Sequence, residues 1–315
     1  DKISRSSDEP IESRGLYPNG SSATSYAIYT LHTYLVDKWR FAVGYRFNII
    51  DLNIKDITLG TSELRFKSGV PSLAISYVPI PKSQIYAHYN RGFRAPNIDD
   101  MGSLGIVDFR YEIPAYNLKP EYADNFEAGY KFQSEHIAFT GSVFYNKLSN
   151  LITRVEVENQ EIDGYPVYIK ENVESASLSG FEFDLTGKIN NSFQYFANLA
   201  YTYGQNISKN EPLRRTPPTF GRIGMEFSKS NFLVRPEFQF AAAQKRLAAG
   251  DISDNRINPA GTPAWQILNI YSSYTWKAVA LNLAIQNLGN TDYRLHGSGI
   301  NGMGRSAILG IKVFF

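Results

Sequence analysis

Hydrophobic and polar positions alternate with period two along most of this chain. Trp39, Phe41, Val43, Tyr45, Phe47 and Ile49 interleave with Arg40, Ala42, Gly44, Arg46 and Asn48. Phe126, Ala128, Tyr130 and Phe132 interleave with Glu127, Gly129 and Lys131. The same holds for Phe181, Phe183, Leu185 and Ile189, for Phe232, Val234, Phe238 and Phe240, and for Ala307, Leu309, Ile311, Val313 and Phe315. Such alternation predicts strands with one apolar and one polar face. It gives about 13 strands, near 22–36, 39–52, 68–79, 83–93, 121–133, 136–155, 167–189, 193–204, 218–228, 231–243, 264–276, 279–288 and 304–315.

These strands run roughly 10–14 residues, where globular strands peak near 5–6 and outer-membrane strands need about 9–11. Their connections alternate in length. Short turns fall at Asp37-Lys38, Ile80-Pro81-Lys82, Ser134-Glu135, Asn190-Asn191-Ser192, Ser228-Lys229-Ser230 and Lys277-Ala278. Long polar loops are expected near 53–67, 94–120, 156–166, 204–218, 244–263 and 289–304. Trp39, Phe132, Tyr195, Phe232, Trp276 and Phe315 lie on the apolar face close to the short turns, as an aromatic girdle at one membrane interface does. The fold class is therefore all-β, a transmembrane antiparallel β-barrel.

Composition sharpens this picture. Tyr (21) and Phe (20) are abundant among the 315 residues, and cysteine is absent, which removes disulfides and thiolate-held metals. The formal net charge of +2 argues against a dedicated nucleic-acid binder. The run DKISRSSDEP at the start has neither a basic segment nor an apolar one, so no signal peptide is visible. Single-chain bacterial barrels take an even number of strands. An odd count therefore predicts that residues 1–315 are the C-terminal portion of a larger barrel.

Specific blocks then carry a family resemblance. RGFRAPN at 91–97, NLKPE at 117–121, NFEAGYK at 125–131, YNKLSNLI at 145–152, ENVESASLSGFEFDL at 171–185, TPPTFGRIGMEF at 216–227 and QNLGNTDYR at 286–294 follow one another in order. Together they resemble the barrel of a TonB-dependent outer-membrane receptor. That resemblance implies a 22-stranded barrel filled by an N-terminal plug domain, lying in the outer membrane of a Gram-negative bacterium. It implies import of an iron chelate or haem, driven by the TonB complex through the plug. The plug and the N-terminal strands would lie outside this chain. Outer-membrane lipid is the other implied partner. No resident cofactor, metal or nucleic acid is implied.

FRAPNIDDMG at 93–102 and YRLHGSGINGMGR at 293–305 look like the haem or haemoglobin branch. Its second box reads YNLKPE here, and no His lies between the two boxes. His296 remains a candidate axial ligand, or else a loop-packing residue. Arg94, Arg110, Tyr111 and Tyr116 share the 94–120 loop, and suit an anionic aromatic chelate through charge-assisted bonds and stacking. Arg305 joins His296 as a candidate at the end of the last loop. Arg94 has an architectural reading as well, as the partner of a lumen carboxylate. Asp99, Asp100, Asp108 and Glu112 read as a solvated acidic loop, with Ca²⁺ binding as the alternative. Glu127, Lys131, Glu182, Asp184, Lys188, Arg235 and Glu237 form a charged lumen wall, with His88 beside Tyr86 and Asn90.

Gly297, Gly299 and Gly302 spell a dinucleotide fingerprint but lack the strand–turn–helix context it needs. They are read as glycines of a tight loop. No catalytic set is assigned: the four His are scattered and no nucleophile elbow occurs. Two other classes compete with a receptor. A passive pore or structural barrel fits if the chain is complete as given, and a soluble β-rich binding module fits if the aromatic girdle is something else.

Overall fold

A computed structural model describes residues 15–57 and 59–314. Its long strands are β1 (Ser22–Val36), β2 (Trp39–Asp56), β3 (Gly60–Tyr77), β4 (Ser83–Arg94), β7 (Glu121–Gln133), β8 (Ile137–Ile162), β9 (Tyr165–Lys188), β10 (Phe193–Asn206), β12 (Phe220–Lys229), β13 (Phe232–Ala241), β14 (Trp265–Trp276), β15 (Val279–Gln286) and β16 (Ser306–Val313). Each pairs antiparallel with the next along one path from β1 to β16, which is the expected set of strands. No pairing joins β1 to β16 among the described residues, so the sheet is an open wall. Three short strands lie off this path: β5 (Gly105–Val107), β6 (Arg110–Ile113) and β11 (Glu211–Pro212). The helices α1 (Ile98–Gly102) and α2 (Ala249–Ile252) are single turns within loops.

Register converts the alternation into two faces, because residues paired across antiparallel strands point the same way. Phe41, Ile75, Ala87, Ala128, Val143, Phe181 and Tyr201 form one continuous row across seven strands. The neighbouring row is Arg40, Ser76, Tyr86, Gly129, Ser142, Glu182 and Ala200. The first row suits lipid and the second a watery lumen. On the lumen face the Tyr86 hydroxyl donates to Glu127 Oε1 at 2.7 Å, and His88 Nε2 lies 3.7 Å from Glu127 Oε2. Near the short turns, outward aromatics meet in pairs, Trp39 with Tyr77 at 4.5 Å and Phe193 with Phe227 at 4.8 Å. Phe315, assigned to this girdle by pattern, falls outside the described residues.

Two expected loops are strand instead. β2 and β3 extend through 53–67 and pair up to Asp56 and Gly60, and β8 and β9 extend through 156–166. The second pair turns at Asp163 (φ 53°) and Gly164 (φ 77°). This Asp-Gly pair suits a tight hairpin, whose two central residues need positive φ. These hairpins are longer than a bilayer requires, so they project beyond it. In β2 and β3 the two kinds of residue exchange faces there: Asp51, Asn53, Glu63 and Arg65 point outward, while Leu52, Ile54, Leu64 and Phe66 face the lumen side.

The third correction concerns residues 95–120, expected to be solvated. Met101, Ala115 and Leu118 pack on Leu52 and Ile54 of β2, with Ile50, Leu64, Phe66, Ile152 and Ile169 around them. Ile50, Leu52 and Ile54 alternate onto the lumen face, so this loop folds back into the mouth of the wall. β6 even pairs with β9 in parallel, Tyr111 opposite Val167 and Ile113 opposite Ile169.

Candidate functional site

The six candidate residues fall into two groups. Arg94, Arg110, Tyr111 and Tyr116 belong to the inward loop. Arg94 ends β4 and pairs with both Glu121 and Asp100. Asp100 also accepts the Asn97 backbone N–H at 3.0 Å, while Asn97 Oδ1 accepts that of Asp100, which caps α1. Arg110 stacks on Tyr168 with its guanidinium carbon 5.3 Å from the ring centroid. Tyr111 holds β6 against β9, and Tyr116 packs on the small core.

Asp99, Asp100 and Glu112 of this loop hold structural contacts, while Asp108 is exposed. Glu112 is buried and pairs with Arg154 and, at 3.6 Å, with Lys170. Lys170 also donates to the Asp99 carbonyl at 2.9 Å and lies 3.3 Å from Asp99 Oδ1. Burial pushes the Asp99 carboxyl up, but the Ser103 hydroxyl and the Lys170 ammonium outweigh it and hold the group below its ordinary value. Among the described residues no group of three His, Asp or Glu is placed to hold a metal ion.

His296 and Arg305 lie in the loop between β15 and β16. Asn287 anchors that loop. It is buried, takes a bond from its own N–H to Asn269 Oδ1 at 2.9 Å, and donates from Nδ2 to the Thr291 and Met303 carbonyls at 2.8 and 2.9 Å. Gly297 has φ +78°, and a Cβ on Gly302 would lie 2.1 Å from the Tyr293 ring, so both positions need glycine. Arg305 donates its backbone N–H to Asn290 Oδ1 at 2.9 Å and leaves its side chain exposed.

His296 is oriented by one hydrogen bond. Its Nδ1 lies 2.9 Å from Thr262 Oγ1, and its buried Nε2 has no hydrogen-bond partner among the described residues. Burial pushes its pKa down; Asp251 pulls the other way and Arg215 adds to the depression. The ring lines a cavity of about 550 Å³ with Phe220, Arg222, Phe240, Trp265 and Leu295, within the usual ligand-site range of ~300–1,000 Å³.

Beside it stands a cluster that the sequence reading missed. Arg214 and Arg215, between β11 and β12, and Arg256, after α2, all bond the buried Asp254 carboxylate at 2.7 to 3.0 Å. Asp251, fully buried, accepts the Arg215 backbone N–H on both oxygens at 3.2 Å. The Arg-Arg doublet at 214–215 is visible in the sequence, but nothing there brings it to Arg256.

A wall of long antiparallel strands, apolar outside and charged inside, with an inward loop at one mouth, is the architecture of an outer-membrane receptor barrel. A family model described as "TonB dependent receptor-like, beta-barrel" matches residues 3–288, and the chain belongs to that family. Among curated relatives, Heme/hemopexin utilization protein C of Haemophilus influenzae (strain 86-028NP) is 22% identical over 340 residues, covering 98% of this chain and 46% of the relative. Probable hemoglobin and hemoglobin-haptoglobin-binding protein 4 of Haemophilus influenzae is 24% identical over 189 residues, covering 55% of this chain and 19% of the relative. Among solved structures, the copper transporter OprC superposes with a TM-score of 0.79 at 16% identity, covering 94% of this chain and 49% of that one. The FrpB iron transporter from Neisseria meningitidis (F3-3 variant) gives 0.74 at 14% identity, covering 93% and 45%. The chain spans about half the length of the relatives that match it throughout, or less. Family and neighbours are transport receptors rather than enzymes.

Proposed function

We propose that this chain is the C-terminal part of a TonB-dependent receptor barrel in the outer membrane of a Gram-negative bacterium, and that the whole receptor imports haem or a haem-bearing ligand. One observation carries the ligand reading: His296 lines a cavity of about 550 Å³ and holds Nδ1 against Thr262, while its Nε2 is enclosed by protein without a hydrogen-bond partner. A metal-ligating imidazole commonly fixes one nitrogen by a hydrogen bond and offers the other to the metal. The names of the relatives, which concern haem, haemopexin and haemoglobin, support the same reading. The partners that follow are the transported iron ligand, the TonB complex acting through a plug outside this chain, and outer-membrane lipid.

We assign iron ligation to His296 and a place on the rim to Arg305. Arg94, Arg110, Tyr111 and Tyr116 act on the ligand through the shape of the mouth, since their contacts tie the inward loop to the wall. A ferric siderophore is the second reading, favoured by the iron-transporter neighbours. A passive pore is the reading left if the chain works alone.

Haem titrated into the full-length receptor gives a low-energy ligand-field band and a shifted Soret band. His296→Ala abolishes the first and costs about tenfold to a hundredfold in affinity, the scale on which metal sites respond to lost support. Only the neutral imidazole ligates. Because burial lowers its pKa, ligation survives through the ordinary imidazole value of about 6.5 and fails as pH falls through the depressed one. Unchanged spectra in His296→Ala would remove His296 as the iron ligand, and a wild type that gives no spectral change with haem would transfer the reading to a siderophore.

A further inference from the structure

We propose that Arg214, Arg215 and Arg256 form a clamp for the carboxylate groups of the transported ligand, set beside the iron-ligating imidazole; this rests on the haem reading above.

The charge count is the first argument. Three guanidiniums meet two buried carboxylates, Asp251 and Asp254. Within this set the guanidiniums exceed the carboxylates by one; Glu211 is engaged by the Ala249 N–H, and Asp292 and Arg294 line the cavity that Arg256 lines. Asp254 occupies one edge of each arginine. The side chains remain about half exposed, at 51%, 46% and 45%, so their other N–H groups point to open space. A guanidinium carries five N–H donors in a rigid fork that matches a carboxylate bidentately.

The second argument is strain. Arg215 has φ 57°, in the left-handed region that non-glycine residues seldom adopt. The buried Asp251 carboxylate holds its backbone N–H there. Backbone held in such a region is found preferentially at ligand clamps and active sites, where it aims a group in advance.

The third argument is position. A methyl on Gly297 would lie 4.0 Å from Arg215 Cδ, and one on Gly299 would lie 3.4 Å from Arg256 Cγ, so the arginines flank the loop that carries His296. Arg256 lines a second cavity of about 280 Å³ with Thr262, Trp265 and Tyr293. Trp265 and Tyr293 lie 4.8 Å apart, and Trp265 also lines the cavity that holds His296. A flat aromatic dicarboxylate laid along Trp265 would thus lie between the cavity lined by His296 and the one lined by Arg256, whose partner Asp254 also holds Arg214 and Arg215.

Three porphyrins separate the contributions in the full-length receptor, with binding followed by quenching of tryptophan fluorescence. Metal-free protoporphyrin reports the clamp without the iron, its dimethyl ester removes the carboxylates, and iron protoporphyrin adds ligation. Arg256→Gln and the double variant Arg214→Gln/Arg215→Gln are expected to bind the metal-free diacid about tenfold or more weakly than the wild type. Their binding of the dimethyl ester is expected to be unchanged, which also shows that the pocket still folds. His296→Ala is expected to leave metal-free binding intact. The clamp is overturned if the arginine variants bind the diacid as the wild type does, if the wild type binds ester and diacid equally, or if it binds neither. A wild type that discriminates diacid from ester through these arginines, yet shows no ligand-field band with iron, keeps the clamp and discards His296 as the iron ligand.

Discussion

Glu112→Met lowers the stability of the mouth of this barrel by about 3 kcal/mol, at the low end of the ~3–5 kcal/mol for removing one partner of a buried ion pair. The Glu112 side chain is 3% exposed and stands between Arg154 and Lys170, and Lys170 is itself buried. Removing the carboxylate strands two cations. The loss stays at the low end because Lys170 keeps Asp99 and Arg154 is partly open to solvent. Since residues 95–120 rest on this pair, the effect shows first as faster proteolysis within that loop, then as a lower urea midpoint in detergent. The double variant Glu112→Met/Lys170→Met recovers much of the loss, because matched apolar groups replace a buried pair at little cost. A single variant as protease-resistant as the wild type would mean that the loop is not tied down by this contact.

Val143→Arg costs about 2–4 kcal/mol, as an arginine on the lipid face of a barrel does near the midplane. Val143 faces outward between Ala128 and Phe181. It stands six residues from Ile137 at the turn end of β8. That is about 20 Å of strand and roughly 15 Å of height at a ~40° tilt, inside an apolar band of ~25 Å. Thr140→Arg is the matched control. Thr140 lies on the lumen face opposite Lys131 and Asp184, and its replacement is expected to change stability by under about 1 kcal/mol. Unfolding from lipid vesicles measures both variants. Equal costs would invert the two faces assigned to the wall.

The aromatic rows show how legible this fold is. Phe126, Ala128, Tyr130 and Phe132 share a face because β geometry turns each residue over from the last, and lipid on one side demands apolar atoms at every second position. The short turns were legible for a related reason: Asp37, Lys82, Ser230 and Lys277 all take positive φ, which tight connections require. The Asp163-Gly164 turn carries the same signal, but the polar run at 156–161 before it reads as loop. There the lipid constraint has ended and only hydrogen-bonded register keeps β8 and β9 together.

The candidate site was less legible. His296 was singled out by residue type and loop position, while its value as a ligand rests on Thr262, 34 residues away in sequence. Arg94 was noticed for its charge, and its two carboxylate partners come from α1 and the start of β7. Asp254 collects arginines up to 40 residues away.

The sequence by itself determined which side of each strand meets lipid, where the chain reverses at the short turns, and which family the barrel belongs to. These depend on local alternation, on turn geometry and on ordered motif blocks, all of which are written along the chain. Only the tertiary structure decided that residues 95–120 fold into the lumen, that Asp100 and Glu112 are buried in ion pairs, and that three arginines gather beside His296. Contacts between loops have no period. They are set by which polar groups can satisfy one another once the strands have brought the loops to the same end of the wall, and a buried charge keeps whichever partner lies within reach.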